Sequence, residues 1–401
     1  MSAPVFDVVI VGGGIAGSTL GGVLARAGLG ILVVEKEARF RDRIRGEGTW
    51  PWGVAEARQA GLADLLDAAG TVEMRAYKRY ENGQPVETVW EQPAPDDIPG
   101  MGFLHQRFQE AAFAWAEAQG ATTIRPAKAT KFSHNGRPTL TVAVDGSETE
   151  FTARLIVGAD GKLSMTRRWT GGESVADPEN HRMGGVLISG AVYDRESDNV
   201  SWVPVEAVNW FAAGPEMTRL YLVMTAQRLQ ETGVDRSFAA LVAFAAGHAP
   251  DGTLEHVEQQ GPIGFFPNND IWASRIAGND VVLIGDAAGA PDPTQGHGTA
   301  LLFHDVRALS ELLLSESNWE TAIEEFAERR RQAFAVIHEV DCWHNVFFDT
   351  SAEAARLREG HGRAQQHDPT LGGFSAIEVN GPAGLVADEA ARRRYFGEDL
   401  R

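Results

Sequence analysis

Residues 284 to 298, IGDAAGAPDPTQGHG, follow the apolar run Val281-Val282-Leu283 and place Asp286 just beyond it, with glycines at 285, 289, 296 and 298. Glycine at this density removes side chains from a stretch of backbone, so that another molecule can come close to it. An acid at the end of a strand offers acceptors to hydroxyl groups at the same place. His297 lies between the last two glycines. With a free pKa of roughly 6.5 it is a candidate proton donor or acceptor, and the competing reading is a hydrogen bond that holds the loop. Near the other end, Gly12-Gly13-Gly14-Ile15-Ala16-Gly17 fits the spacing GxGxxG. The first glycine allows a turn, the second lets a pyrophosphate approach, and the third lets helix meet strand, with the phosphates at the positive end of the helix dipole. Glu35, with Lys36 beside it, closes the next apolar run, where a carboxylate accepts from a ribose 2′-OH. This unit predicts a dinucleotide and leaves NAD and FAD both open.

The elements that must position these groups are legible as patterns. Val8 to Val11 is a buried-strand run, the small residues from Ala16 to Ala27 suit a helix pressed on a sheet, and Ile31 to Val34 returns as a parallel neighbour. Asn82-Gly83 and Asp145-Gly146 sit between alternating segments and predict tight hairpins, which take the chain from the parallel sheet into antiparallel structure. Between them a helix starts at His105 and stops at Gly120. From 182 to 225, β-branched and aromatic residues predict antiparallel strands. A helix runs from Gly298 to about Leu314, and Ser317 to Glu320 offers a capping box for another, with Ile323, Phe326, Phe334 and Ile337 on one face. The last forty or so residues predict a loop around EGHGRAQQHDPTLGG and a short final helix, ADEAARRRYF.

The 401 residues are 43% hydrophobic, enough for a substantial core shared by two intimate domains. A net charge of −19 argues against nucleic acid and anionic membrane surfaces as partners. The lone Cys342, an N-terminal stretch unlike a signal peptide and the lack of a long apolar run predict a cytoplasmic location away from the membrane. HEVDCWH, from His338, lacks a known ligand spacing, so no metal is expected.

A second helix N-terminus at Gly298 beside Asp286 favours FAD. Ribityl hydroxyls suit the acid, and the helix dipole stabilises negative charge on the reduced pyrimidine ring. On three blocks the chain resembles the single-component FAD-dependent aromatic hydroxylases, the family of p-hydroxybenzoate hydroxylase. They are VVIVGGGIAGSTL with Glu35, ARLIVGADGKLSMTRR with Asp160, Gly161, Ser164 and Arg167, and VVLIGDAAGAPDPTQGHGTALLFHD. In the third block Gly285, Asp286, Pro293, Gly296, Gly298 and Asp305 fall in family register. The family usually has histidine and asparagine where this chain has Gly289 and Ala300, and its arginine after the first hairpin is replaced by His105 or displaced to Arg107. The resemblance also implies an arginine near the flavin pyrophosphate or ribityl chain, met by Arg43 or Arg45, with Gly46-Glu47-Gly48 passing the ring and Glu47 a second candidate for proton transfer.

The fold implied is α/β, a Rossmann-like FAD-binding domain (1–72, 105–172 and 275–345) interleaved with an antiparallel-sheet substrate domain (73–104 and 173–274), then C-terminal helices in an extension over 346–401. The chemistry implied is reduction of FAD by transient NADPH or NADH, addition of O2 at the flavin C4a, and transfer of one oxygen atom to an aromatic or polyketide-like small molecule, in a monomer or homodimer. Trp50 and Trp52, and Trp202, Trp210, Tyr221, Phe265 and Phe266 on the strands, would wall the pocket or fill the core. Three alternatives remain open. A flavin-dependent halogenase would need a WxWxIP segment, where this chain has only TWPWG, and a halogenating lysine, for which Lys78 is available. A prenyl-type reductase has a related architecture, and a non-enzymatic flavin-binding sensor or assembly subunit would account for Gly289 and Ala300.

Overall fold

The computed structural model describes residues 5–44, 46–89, 97–368, 371 and 376–400. Val5–Val11 lies between Ile31–Val34 and Ser147–Gly158 in a parallel sheet that continues to Thr122–Ile124 on one side and Val281–Leu283 on the other. Both faces of this sheet are covered, which is why its strands are continuous apolar runs. Val8 and Ile10 pack with the helices Ile15–Arg26, His105–Ala118 and Gly298–Ser315, while Val9 and Val11 pack with Leu140 and Val142 of a β-hairpin.

That hairpin corrects one expectation. Asp145-Gly146 does form the turn, with φ of 48° and 81°, but it does not lead the chain out of the nucleotide sheet. Ser147–Gly158 is long enough to pair antiparallel with Pro138–Val144 and then insert, parallel, beside Val5–Val11. Asn82-Gly83, with φ of 48° and 74°, does turn within the second sheet. That sheet has eight strands, among them Ala76–Glu81, His181–Ser189, Ser197–Val203, Glu206–Ala212 and Thr218–Met224.

Period-two alternation gives the second sheet two faces. Trp210, Leu220, Leu222 and Val186 pack under the helices Ala226–Thr232 and Phe238–Ala246. Trp202, Tyr221, Phe211, Met183 and Phe266 point the other way, toward the first sheet.

Two local expectations change. The helix Trp319–His344 is capped by Asn318, whose Oδ1 accepts from the Glu320 amide at 3.1 Å, and not by Ser317. EGHGRAQQH is helical, within Ala352–His367, and Ser351 caps it. Gly360 marks close packing there, because a Cβ on it would lie 2.2 Å from the Phe396 carbonyl oxygen.

Candidate active site

Between the two sheets lies a cavity of about 480 Å³. Its nucleotide end is built by the glycine turn. Gly12 has φ +108°, and a Cβ there would sit 2.3 Å from the Ala159 carbonyl oxygen. Gly17 brings helix to strand, since its Cβ would lie 1.9 Å from Gly12 O; it does not line the cavity. Gly14 does line it, and a Cβ there would meet only Gln109 Nε2, at 3.5 Å. The helix behind Gly14 has no side-chain cap and no acid in its first turn, so its first amides remain available to an anion. Ala16 and Lys36 also line the cavity. Glu35 does too, and its carboxylate holds the glycine turn by accepting from the Gly13 amide at 2.8 Å and the Glu37 amide at 2.7 Å.

The second and third blocks are tied to each other. Asp160 accepts from the Met165 and Thr166 amides at 2.8 and 3.2 Å and opens the short helix that carries Arg167. Arg167 then donates to the carbonyl oxygens of Asp286 and Ala287, at 2.7 and 2.9 Å. Asp305, wholly buried, accepts from the Gly285 amide at 2.7 Å and pairs with buried Arg330 at 2.7 Å. Arg330 was not anticipated; its partners lie on other elements and leave no local pattern. Together these contacts fix the turn that presents Asp286 to the cavity.

Pro293, Gly296 and Gly298 also line the cavity. A Cβ on Gly298 would meet only Pro291 Cγ, at 4.0 Å, and its helix again lacks a side-chain cap or an acid in the first turn. The loop before it is anchored by buried Asp292, by Asn268 donating to Thr294 Oγ1 at 2.7 Å, and by His181 Nε2, also 2.7 Å from that oxygen. Two open glycines at two uncapped helix N-termini, with Asp286 between them, fit a diphosphate, a polyol chain and an anionic ring system.

Two expected residues, His297 and Arg107, stand elsewhere. His297 is fully buried and absent from the cavity lining, and neither ring nitrogen has a hydrogen-bond partner among the described residues. Burial, reinforced by His344, lowers its pKa to about 3, so the ring is neutral and its expected proton role loses contact with the cavity. Arg107 lies over the turn at Gly70, while His105 lines the cavity and donates from Nδ1 to Gly46 O at 2.8 Å. Arg45 lies outside the described residues, and Arg43 lines the cavity beside Glu37, at 3.0 Å.

Glu47 is 2% exposed and lines the cavity where the two sheets meet. Arg219 Nη2 and the Tyr221 hydroxyl donate to its two oxygens, each at 2.6 Å. Burial pushes the Glu47 carboxyl up, against the pull of Arg219. Of the strand aromatics, Trp202, Tyr221 and Phe266 line the cavity, whereas Trp210 and Phe265 pack on the opposite face of the sheet.

The model of the FAD binding domain family matches residues 5–337. The chain belongs to that family. It is a flavoprotein by family, and FAD is the cofactor that its glycine cradle takes. Squalene epoxidase 2 of Arabidopsis thaliana is 24% identical over 88% of this chain and 63% of its own length. Menaquinone reductase of Mycobacterium tuberculosis is 27% identical over 82% of each chain. This chain thus spans under two thirds of the squalene epoxidase. The p-nitrophenol 4-monooxygenase PnpA of Pseudomonas putida shares the fold with a TM-score of 0.76 at 17% identity, covering 89% of this chain and 93% of that one. The myxobacterial chondrochloren halogenase does so with a TM-score of 0.74 at 20% identity, over 98% and 97%. Among the described residues no helix is long and apolar enough to cross a membrane.

Proposed function

We propose that this protein is an FAD-dependent monooxygenase that uses NADH or NADPH and dioxygen to oxygenate a small aromatic or otherwise apolar molecule. The observation that carries the reading is the continuity of the cavity. One void runs from the glycine cradle to the inward face of the second sheet, where Met74, Met183, Val200, Trp202, Phe211 and Phe266 make an apolar wall.

The bound flavin would accept a hydride and activate dioxygen. The protein's own tasks are to bind, orient and keep water out. The open amides behind Gly14 and Gly298 would hold the diphosphate and the electron-rich end of the ring, Asp286 the polyol hydroxyls, and Arg43 a phosphate. Glu47, locked by Arg219 and Tyr221, would fix the Gly46-Gly48 segment beside the ring. The apolar wall would exclude water from a reactive centre.

Lys78 speaks against halogenation, since it pairs with Asp194 at 2.6 Å and follows Tyr77 on a strand whose cavity face Tyr77 occupies. A reductase reading is favoured by the likeness to menaquinone reductase, which extends over 82% of both chains. One experiment separates them: the visible spectrum of the protein during anaerobic NADPH addition with and without a panel of aromatic compounds, followed by admission of labelled dioxygen. Oxygenation predicts bleaching stimulated by substrate, then oxygen uptake and one labelled atom in the product. Bleaching with a saturated product and no label would establish a reductase instead.

A further inference from the structure

The sheet half of the cavity holds a carboxylate that the oxygenation scheme does not use. Asp198 stands on Ser197–Val203, where alternation puts it on the same face as Val200 and Trp202, and all three line the cavity. It is 6% exposed. Asn209, on the adjacent strand, donates from Nδ2 to its Oδ1 at 2.6 Å and to the Asn199 carbonyl oxygen at 3.0 Å, which fixes the carboxylate in place.

The charges around it are one-sided. Tyr77 and Glu378 also line this part of the cavity. The lining cations Lys36, Arg43, Lys128 and Lys162 all belong to the nucleotide sheet and its loops. Arg219, a buried cation of the second sheet, is committed to Glu47 and Asp42, at 2.6 and 3.0 Å, and Arg79, on the strand paired with that of Asp198, does not line the cavity. A substrate carboxylate placed here would be desolvated next to a like charge, with no cation of this sheet lining the cavity among the described residues. A donor group would satisfy an acceptor that is already buried.

Resting on the oxygenation reading above, we propose that Asp198 accepts a hydrogen bond from an N–H or O–H group of the substrate, which is an amine, aniline or phenol on an apolar frame and not a carboxylate. Burial pushes the Asp198 carboxyl up to about 7, against the hydrogen bonds it receives from the Asn209 side chain and the Asn199 amide.

The test is a titration of the FAD-loaded protein with 4-butylaniline, 4-butylphenol and 4-butylbenzoate, which share a frame and differ at one end, read from the visible band of the bound flavin. The aniline and the phenol are expected to bind at least about tenfold more tightly than the benzoate. Asp198→Asn should narrow that preference about tenfold while FAD content and Tm stay unchanged, and Val200→Ala, on the same face, should weaken all three probes alike. Equal or tighter binding of the benzoate, a preference unchanged in Asp198→Asn, or no response to either donor probe at millimolar concentration overturns the proposal. A yellow protein that takes up oxygen yet prefers the benzoate would remove the role of Asp198 and leave the oxygenation reading standing. A protein that takes up no FAD would remove both.

Discussion

Gly14 and Gly17 are three residues apart and fail in different ways when a methyl group is added. Gly14 has φ −67° and opens on the cavity, so Gly14→Ala should fold normally and lose FAD, with at least a tenfold rise in the FAD dissociation constant by fluorescence titration and a nearly unchanged apo-protein Tm. At Gly17 the new Cβ would lie 1.9 Å from backbone, so Gly17→Ala should destabilise the protein itself by about 1–3 kcal/mol, measured by urea unfolding without cofactor. Equal behaviour of the two variants would refute this division of labour. Arg219 allows a sharper test. Removing it strands Glu47 in a buried site, so Arg219→Met should cost roughly 3–5 kcal/mol, and Glu47→Gln in the same chain should restore part of the loss. A double variant no more stable than the single one would show that the pair is not the source of the effect.

At the scale of elements, what could be read from the sequence was what is local. Asn82-Gly83 and Asp145-Gly146 announce their turns because a tight hairpin needs positive φ at both positions, and both have it. The helix start at Gly298 and the strand runs around Val8 and Val33 likewise follow from period and composition within a few residues. The cradle residues Gly14, Asp286 and Gly298 were legible for the same reason. The contacts that set the rest of the site were not. Glu47 meets Arg219 172 positions away, and Asp305 meets Arg330 25 positions away on a different helix. Trp202 and Trp210 look equivalent in the sequence, and alternation even assigns them a common parity on separate strands; only the pairing of those strands decides which one reaches the cavity. His297 misled because its position between glycines signals an active loop, whereas its ring turns inward. Asp305→Asn should therefore weaken the Gly285 turn without touching cofactor directly: a fall in Tm of several degrees, with FAD lost more readily on gel filtration. Unchanged FAD retention and Tm would exclude that role.

For the whole molecule, the buried imidazoles set a dependence on acid. The pKa of His297 falls to about 3 and that of His344 to about 4, both chiefly through burial, against 6.5 when exposed. The unfolded chain takes up protons below 6.5 that the folded chain refuses, so each ring is free of penalty above that pH and costs increasing stability as pH falls toward its folded value. His297→Leu removes one such group. Relative to the native protein it should gain roughly 2 kcal/mol on going from pH 7.5 to pH 5, seen as a shrinking or reversed Tm difference. A difference that does not change with pH would mean that the ring takes up its proton as readily in the folded state as in the unfolded one. The cradle has one more consequence, in the order of synthesis. Its two glycine turns are separated by 286 positions, from Gly12 to Gly298, so a chain still emerging from the ribosome would carry half a receptor until the second is made. The vitamin-derived group would then be captured only once the second turn has been made, and a fragment stopped before that turn should come off the column colourless.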